Sequence, residues 1–325
     1  MLKPLKQLNT RHLVVLLVLW TACVYANSLN APFYLDDEVN ILENPFIRLT
    51  DISLDTVSQA AFNSPCPNRP VANVTFGLNY WLKGYNPAAY RIVNIVFHVI
   101  TGILLYLFVE TTIRISREKG RYGSAQGLAF LTALIWLVHP LQTETVTYIV
   151  QRMNIMTAMF TMAAWLCYLR GRLASTRPAA WAWFSGMIPA WGLALGCKEI
   201  AVALPGMILL YEWIILRNAP EVRTRAPFWM LATTVAVAGV AVLIYTDFSP
   251  LRAILSGYNH RDFTAIERLL TQSRVILYYI SLMIYPHPSR LNLVHEMTVS
   301  HSLFDPPTTL IATGAIFAAV FWAVR

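Results

Sequence analysis

The chain has 325 residues, of which 56% are apolar and 13% are charged, and its mean hydropathy is +0.50. Soluble domains contain about 25% charged residues, so the composition excludes an ordinary water-soluble fold, and an aromatic content of 12% excludes an unfolded, solvated chain. The four cysteines form no CxxC pair, which excludes a disulfide scaffold and a zinc site of that type. We therefore expect an all-α polytopic membrane protein.

Uncharged runs mark the predicted membrane helices in chain order. These runs lie at residues 13–35, 92–109, 122–143, 153–169, 178–197, 226–246 and 308–324. Each is at or near the ~17–25 residues that a bilayer requires. The run 178–211 is interrupted only by Lys198 and Glu199 and is too long for a single span, so we interpret it as a helical hairpin that turns at these two residues. The result is about eight transmembrane helices. The apolar stretch 275–286 is too short to assign, and a spanning and a re-entrant conformation both stay open.

Basic residues predict the orientation of these helices. If the helices alternate, 14 of the 25 Lys and Arg residues fall on one side, which is typical of the cytoplasmic side. The other side carries a large first extracytoplasmic loop, residues 30–89, and a second loop between helices seven and eight, residues 247–307. The net charge of +8 thus reflects membrane topology and indicates no nucleic-acid partner. The N-terminus also resembles a secretory signal, but its apolar run continues through Leu29, so we interpret it as an uncleaved anchor.

Three consecutive carboxylates, Asp36-Asp37-Glu38, follow the first predicted helix at the water boundary. A carboxylate held in such a position can act as a general base or hold a cation. The alternative interpretation is an interfacial acidic patch without a chemical role. The apolar, aromatic run directly before the triplet favours a functional site.

Further polar residues lie at helix ends on the same predicted side. They are Arg69, His139, Glu144, Arg152, Lys198 and Glu199. A helix through this segment is predicted to place Glu144, Tyr148 and Gln151 on one face, at spacings of four and three, with Arg152 adjacent. Charges this close to the membrane core are functional candidates. The alternative is that they form ion pairs that fix helix ends, and their common side favours one shared site.

Several motifs together resemble one known family. They are Tyr34-Leu35-Asp36-Asp37, Asn68-Arg69-Pro70-Val71, Leu78-Asn79-Tyr80-Trp81, Gly84-Tyr85-Asn86-Pro87, the stretch His139-Pro140-Leu141-Gln142-Thr143-Glu144 through Tyr148-Ile149-Val150-Gln151-Arg152, Cys197-Lys198-Glu199-Ile200-Ala201 and Leu209-Leu210-Tyr211-Glu212-Trp213. In these motifs the chain resembles the transmembrane and tetratricopeptide-repeat O-mannosyltransferase-like family. The resemblance implies a single GT-C-like transmembrane domain over residues 1–325, and we expect no C-terminal repeat domain in this chain. It also implies that Asp36 and Asp37 match the family's acidic motif and that Glu144 matches a second acidic position.

The function implied by the resemblance is an inverting glycosyl transfer on the non-cytoplasmic membrane face. The donor is expected to be a polyprenyl-phosphate-linked sugar, with a mannose-like hexose favoured, and the acceptor a hydroxyl group of a protein, such as Ser or Thr, or of a glycan. Asp36 or Asp37 is the expected base. The expected donor-phosphate or substrate-binding groups are Arg69, His139, Glu144, Arg152, Lys198 and Glu199. Of these, Arg69, Arg152 and Lys198 supply the positive charge.

The sequence leaves other functions and two cellular locations open. A secondary transporter is disfavoured because we see no paired inverted repeats, and a non-catalytic membrane scaffold is the remaining alternative. The short loops favour a bacterial inner membrane with the site facing the periplasm, and the endoplasmic reticulum membrane is the alternative. No metal site or cofactor is predicted, and a role for a divalent cation stays open.

Overall fold

The computed structural model describes residues 9–116, 124–222, 255–258, 261–292 and 295–324. This described part is mainly helical and contains no β-strand, which confirms the predicted all-α class. By length and composition, two stretches of it are suited to cross a membrane, Thr10–Ser28 and Pro87–Ile115. The predicted span 226–246 lies outside the described residues. The count of eight spans and the layout of the loops therefore stay predictions.

The chain divides into two compact units, Met1–Ala232 and Thr233–Arg325. In the described residues of the first unit the α-helices are α1 (Thr10–Tyr25), α2 (Leu54–Asn63), α3 (Pro70–Lys83), α4 (Pro87–Ile115), α5 (Ala125–Val138), α6 (Gln142–Thr147), α7 (Arg152–Leu173), α8 (Arg177–Leu195) and α9 (Leu204–Ile214). In those of the second unit they are α10 (Ala265–Ile284) and α11 (Thr308–Val324). A single transmembrane domain over residues 1–325 stays a prediction.

Side-chain caps determine where several helices begin. Asn86 accepts hydrogen bonds from two backbone N–H groups in the first turn of α4, and Pro87 occupies the first position, where a missing N–H is tolerated. Ser53 begins α2 and Thr264 begins α10, each through a capping box. Residues 30–89, the predicted first extracytoplasmic loop, contain α2 and α3.

The long helix α4 packs against α1, α5 and α7 in the first unit. A Cβ atom at Gly102 of α4 would lie 2.6 Å from the Leu137 side chain of α5, so a glycine is required for this close approach. Near the end of α4, Phe108 packs against Trp165 of α7 with ring centroids 4.8 Å apart. At the start of α4, the carbonyl of Tyr90 accepts a 2.9 Å hydrogen bond from Arg152, the first residue of α7. The helices α4 and α7 therefore run parallel, and both begin at the same end of the unit.

The predicted continuous helix from Glu144 to Arg152 is wrong, because the chain is extended at Tyr148. A 3-10 turn then separates Tyr148 from α7. Five of the six residues 145–150 are β-branched and lose side-chain freedom in a helix. In addition, a backbone N–H of the turn bonds to the Asp37 carboxylate. The residues predicted to share one helix face therefore lie on two separate elements.

The predicted break at Lys198 and Glu199 is present between α8 and α9. The helix α8 ends at Leu195, and a 3-10 turn, Glu199–Ala203, leads into α9. The carbonyl of Gly196 accepts a 3.0 Å hydrogen bond from the backbone N–H of Val71 on α3. This bond fixes the turn beside the start of α3.

Candidate functional site at the loop end of the first unit

Arg91, in the first turns of α4, joins three segments at one end of the first unit. Its side chain is fully buried and donates to the carbonyls of Ala31 and Pro32, which follow α1, and of Thr147 at the end of α6. A buried guanidinium is tolerated only when its N–H groups are satisfied in this way. Sequence reasoning missed Arg91, although a charge near the start of an apolar helix is itself a signal of a functional or structural site.

The backbone turns sharply at Leu35, directly before the acidic residues. Leu35 has a φ of 52°, a left-handed conformation that costs a residue with a Cβ atom roughly 1–2 kcal/mol. After this turn Asp36 is exposed and Asp37 is fully buried. The two adjacent carboxylates thus lie in opposite environments, a difference that sequence spacing alone does not reveal.

Asp37 fixes the first loop to the turn before α7. Its Oδ1 accepts a 2.7 Å hydrogen bond from the N–H of Val150, and its Oδ2 accepts a longer one from the N–H of Tyr34. Burial raises the pKa of Asp37 to about 6, and these hydrogen bonds and the charge of Arg91 oppose the rise only in part. The geometry makes Asp37 an anchor between two distant segments.

Asp36 lies on the exposed side of the same turn, next to Tyr148. The backbone N–H of Asp36 donates a 2.8 Å hydrogen bond to the Tyr148 hydroxyl, and the Tyr148 ring stacks on Tyr34 with centroids 4.8 Å apart. Burial, together with the neighbouring Asp36 and Asp37 carboxylates, raises the pKa of Tyr148 to about 12, so the phenol stays protonated. The carboxylate of Asp36 is left accessible to a ligand.

Arg152, a predicted phosphate-binding group, is fully buried in the first unit. Its nitrogens donate to the Oδ1 of Asn94 at 2.8 Å, to the carbonyl of Thr75 at 3.1 Å and to the carbonyl of Tyr90 at 2.9 Å. Its guanidinium also lies 4.8 Å from the ring centroid of Phe76. All these partners are internal, so the geometry favours a role in fixing α3, α4 and α7.

Lys198 is half-buried at the turn between α8 and α9. Its Nζ donates a 2.6 Å hydrogen bond to Asn154 Oδ1, and Asn154 in turn donates to Gln151. Burial lowers the pKa of Lys198, with a further contribution from the positive charge of Arg69 and opposition from Glu199 and Glu144. Lys198 therefore lies close to the other candidate charges.

Arg69 and Glu199 form a partly exposed pair beside Lys198. The Nη2 of Arg69 lies 3.6 Å from Glu199 Oε2, and Asn68 donates to the other oxygen of Glu199. The Nη1 of Arg69 contacts the sulfur of Met153 at 3.3 Å. The buried Nε of Arg69 has no hydrogen-bond partner among the described residues, whereas the guanidinium as a whole keeps partial exposure.

Glu144 and His139 occupy the segment around α6. Glu144 is exposed on α6, which ends directly before Tyr148. His139 is half-buried, and its Nδ1 accepts a 3.2 Å hydrogen bond from the N–H of Leu141. His139 therefore stabilises the turn into α6, and the exposed carboxylate of Glu144 lies one helical turn before Tyr148.

A cavity of 310 Å³ opens beside the acidic turn. Its polar lining residues are Tyr25, Asn27, Ser28, Tyr34, Arg91, Thr143 and Thr147. Amide and hydroxyl groups of this kind bind the hydroxyls of small polar ligands. Among the described residues no group of three or more His, Cys, Asp or Glu side chains is arranged to hold a metal ion.

The described part of the chain is helical, and its candidate site lies at one end of the first unit's helices; three curated proteins to which the chain is similar are all named protein O-mannosyl-transferases. The chain is 27% identical over 219 residues to human protein O-mannosyl-transferase TMTC3, covering 65% of this chain and 22% of that protein. It is 29% identical over 211 residues to human protein O-mannosyl-transferase TMTC1, covering 61% and 23%. It is also 27% identical over 169 residues to protein O-mannosyl-transferase F38B6.6 of Caenorhabditis elegans, covering 50% and 23%.

These relatives confirm the resemblance to the transmembrane and tetratricopeptide-repeat O-mannosyltransferase-like family. The chain spans about a quarter of the length of the curated relatives it matches. No family model matches the chain. No solved structure matches it either.

Proposed function

We propose that this protein is a membrane glycosyltransferase that moves a mannose-like hexose from a polyprenyl-phosphate donor to a hydroxyl group of a protein. The names of the relatives support mannosyl transfer to protein. The observation that carries the proposal is the exposed Asp36 carboxylate at the same end of the first unit as the half-buried cations Lys198 and Arg69. A carboxylate and cations are the groups that such a transfer requires.

The proposed reaction needs one base and a stabilised leaving group. Asp36 accepts the proton of the acceptor hydroxyl while that oxygen forms a bond to the anomeric carbon. The bond from the anomeric carbon to the phosphate oxygen breaks, and its electron pair leaves with polyprenyl phosphate. Lys198 and Arg69 stabilise the charge that grows on this oxygen. Attack from the face opposite the leaving group inverts the anomeric configuration.

The remaining candidate residues position the base and the cations or contact the substrate. Asp37, Arg152 and His139 position the turns that carry the site, since their hydrogen bonds are to other parts of the protein. Glu199 holds Arg69 in place, and the exposed carboxylate of Glu144 contacts the substrate. The adjacent 310 Å³ cavity, with its hydroxyl and amide lining, suits the hexose.

The proposed location is the endoplasmic reticulum membrane, with the site facing the lumen. The relatives named above are from animals. Animal cells contain an endoplasmic reticulum and have no bacterial inner membrane. Of the two locations left open by the sequence, the relatives therefore favour the endoplasmic reticulum.

The test is transfer of radiolabelled mannose from synthetic polyprenyl-phosphate mannose to a Ser/Thr-containing peptide by the purified full chain in nanodiscs. We expect transfer by the wild type, a loss of ~10²–10⁴-fold in Asp36→Asn, and wild-type transfer in the control Asp51→Asn. Asp51 is an exposed carboxylate in the same loop, so the control matches the charge change. Equal transfer by Asp36→Asn and wild type would remove Asp36 from the reaction. Donor binding without transfer would favour a non-catalytic scaffold.

A further inference from the structure

The helix α10 of the second unit exposes its apolar face. Leu269 is 73%, Ile276 44% and Ile284 80% exposed. Ile266 and Ile280 are exposed on the same face, since all five recur at helical spacings of three, four and seven residues. In a water-soluble protein this is the face that packs into the core.

The polar face of α10 is covered by the chain that follows it. Residues 287–292 and 295–307, here called the return segment, run back along the helix from its end towards its start. The contacts, in that order, are Arg290 Nη2 to Ser281 Oγ at 2.5 Å, Arg274 Nη1 to the carbonyl of Thr298 at 2.8 Å, and His301 Nδ1 to Glu267 Oε1 at 2.6 Å. Glu267, Arg274 and Ser281 of α10 are therefore paired within the described part of the unit, whereas the five apolar residues on the opposite face stay exposed.

We propose that α10 lies in the plane of the membrane surface, with its apolar face in lipid and its return segment on the water side. The helix α11 gives the position of the bilayer, because it carries no charged residue and exposes large apolar side chains such as Phe317 and Trp322. It begins beside the return segment, where Thr309 Oγ1 donates a 2.8 Å hydrogen bond to Ser300 Oγ. The water boundary therefore passes close to α10.

A spanning orientation of α10 is disfavoured by the return segment. At 20 residues, α10 is about 30 Å long and matches the hydrocarbon thickness. The return segment lies along most of that length, however, and would have to cross the hydrocarbon with it. It carries His295, Glu296, His301 and Asp305 on a largely non-helical backbone, which is costly in lipid. An in-plane helix leaves these groups in water and places only the apolar face in the headgroup and acyl boundary.

The test measures depth at three positions on the exposed face. Leu269→Cys, Ile276→Cys and Ile284→Cys are spin-labelled singly in the full chain lacking its native cysteines, in vesicles of phosphatidylcholine with a minor share of phosphatidylglycerol. Collision rates with oxygen and with a water-soluble nickel chelate give the depth of each label. Phe317→Cys in α11 is the deep control, and Arg268→Cys, at an exposed position on the flank of α10, is the water control.

An in-plane helix predicts three equal, shallow depths, ~5–10 Å into the lipid. A spanning helix would place the middle label about 10 Å deeper than the outer two, because each step is seven or eight residues, and this result would overturn the proposal. Labels shielded from both oxygen and nickel would also overturn it, since the face would then be covered by protein. Native-like elution of each variant on gel filtration verifies that the comparison is made on folded protein.

Discussion

At the scale of single residues, the site depends on a contrast between two adjacent carboxylates. Asp37 is buried and binds backbone N–H groups of the turn before α7, whereas Asp36 is exposed beside the Tyr148 hydroxyl. The left-handed turn at Leu35 produces this contrast. A base must reach its substrate, so the geometry favours Asp36 as the base and Asp37 as the residue that positions it.

Substitution of the two carboxylates should separate these roles. Asp36→Asn should reduce transfer by ~10²–10⁴-fold with little change in thermal midpoint, because its side chain is exposed. Asp37→Ala should lower the free energy of unfolding by ~1–3 kcal/mol, because it leaves the buried N–H of Val150 unsatisfied. Asp37→Asn should retain much of that stability, since its amide oxygen still accepts this bond. Transfer assays and thermal unfolding on the same preparations measure both effects.

The buried Asp37 also predicts a pH dependence of stability. Its folded-state pKa of about 6 lies above the ordinary value for an aspartate, which is ~3.9 in an unfolded chain. The folded state therefore binds more protons between these values. The stability contributed by Asp37 is present in full below about pH 4 and is lost as the pH rises through about 6.

The measurement is the difference in thermal midpoint between wild type and Asp37→Asn across pH 4 to 7. This difference removes the contributions of the other titrating groups, because the amide does not titrate. We expect the wild type to lose stability relative to the variant as the pH rises. A constant difference across this range would contradict the burial of an ionisable Asp37.

At the scale of elements, two chain breaks bring the site residues together, and only one was predictable. The break at Lys198 and Glu199 was predicted because two charges interrupt a long apolar run. The break at Tyr148 was not, because one of its causes is a bond to Asp37, 113 residues away from Val150 in sequence. The local sequence around Tyr148 does not include the Asp37 carboxylate, which comes from another loop and bonds to the turn.

The same limit applies to the cations. Arg69, Arg152 and Lys198 look equivalent as charges at helix ends. Only packing distinguishes the three cations. The hydrogen-bond acceptors of Arg152 come from α3 and α4, and the Arg152 side chain is completely buried. Arg69 and Lys198 keep partial exposure at the turns before α3 and α9. The sequence therefore identifies the three cations as candidates but does not distinguish the buried structural one from the two accessible ones.

Neutralising the two accessible cations should affect donor use more than folding. Lys198→Met and Arg69→Gln should each raise the donor KM and lower kcat. In each variant kcat/KM should fall by on the order of 10²-fold, because charge grows on the departing phosphate oxygen. Lys83→Met is a matched control, since Lys83 is an exposed lysine at the end of α3 in the same loop. Steady-state kinetics and thermal midpoints are measured for all three variants.

Two outcomes would show that a cation stabilises the structure and does not bind the donor. If Lys198→Met loses thermal stability but uses the donor normally, the bond from Lys198 to Asn154 is structural and Lys198 has no role in donor binding. If Arg69→Gln behaves in the same way, the pair with Glu199 only fixes the loop. The Lys83 control detects a general effect of surface charge on donor binding.

At the scale of the whole molecule, composition predicts the class and basic residues predict the orientation. Within the first unit, α4 and α7 begin at the end that carries the acidic turn, and α7 ends near Leu173. With 22 residues, α7 is about 33 Å long, close to the hydrocarbon thickness. The loop 30–89 and the connection between α7 and α8 therefore lie at opposite ends of the helices. Composition cannot predict which segments pack, since packing depends on matched surfaces such as Gly102 against Leu137.

This arrangement gives a direct prediction of topology. Lys83, at the end of α3, and Ser175, between α7 and α8, are both exposed and lie at opposite ends of the first unit. Lys83→Cys and Ser175→Cys, each in a chain lacking the four native cysteines, should react with a membrane-impermeant maleimide from opposite sides of sealed vesicles. The basic residues around α7 and α8 predict that Ser175 is the cytoplasmic position. Permeabilising the vesicles should make both positions reactive, which verifies that each cysteine is accessible. Labelling of both from one side of intact vesicles would contradict the predicted alternation and the assignment of the site to the non-cytoplasmic face.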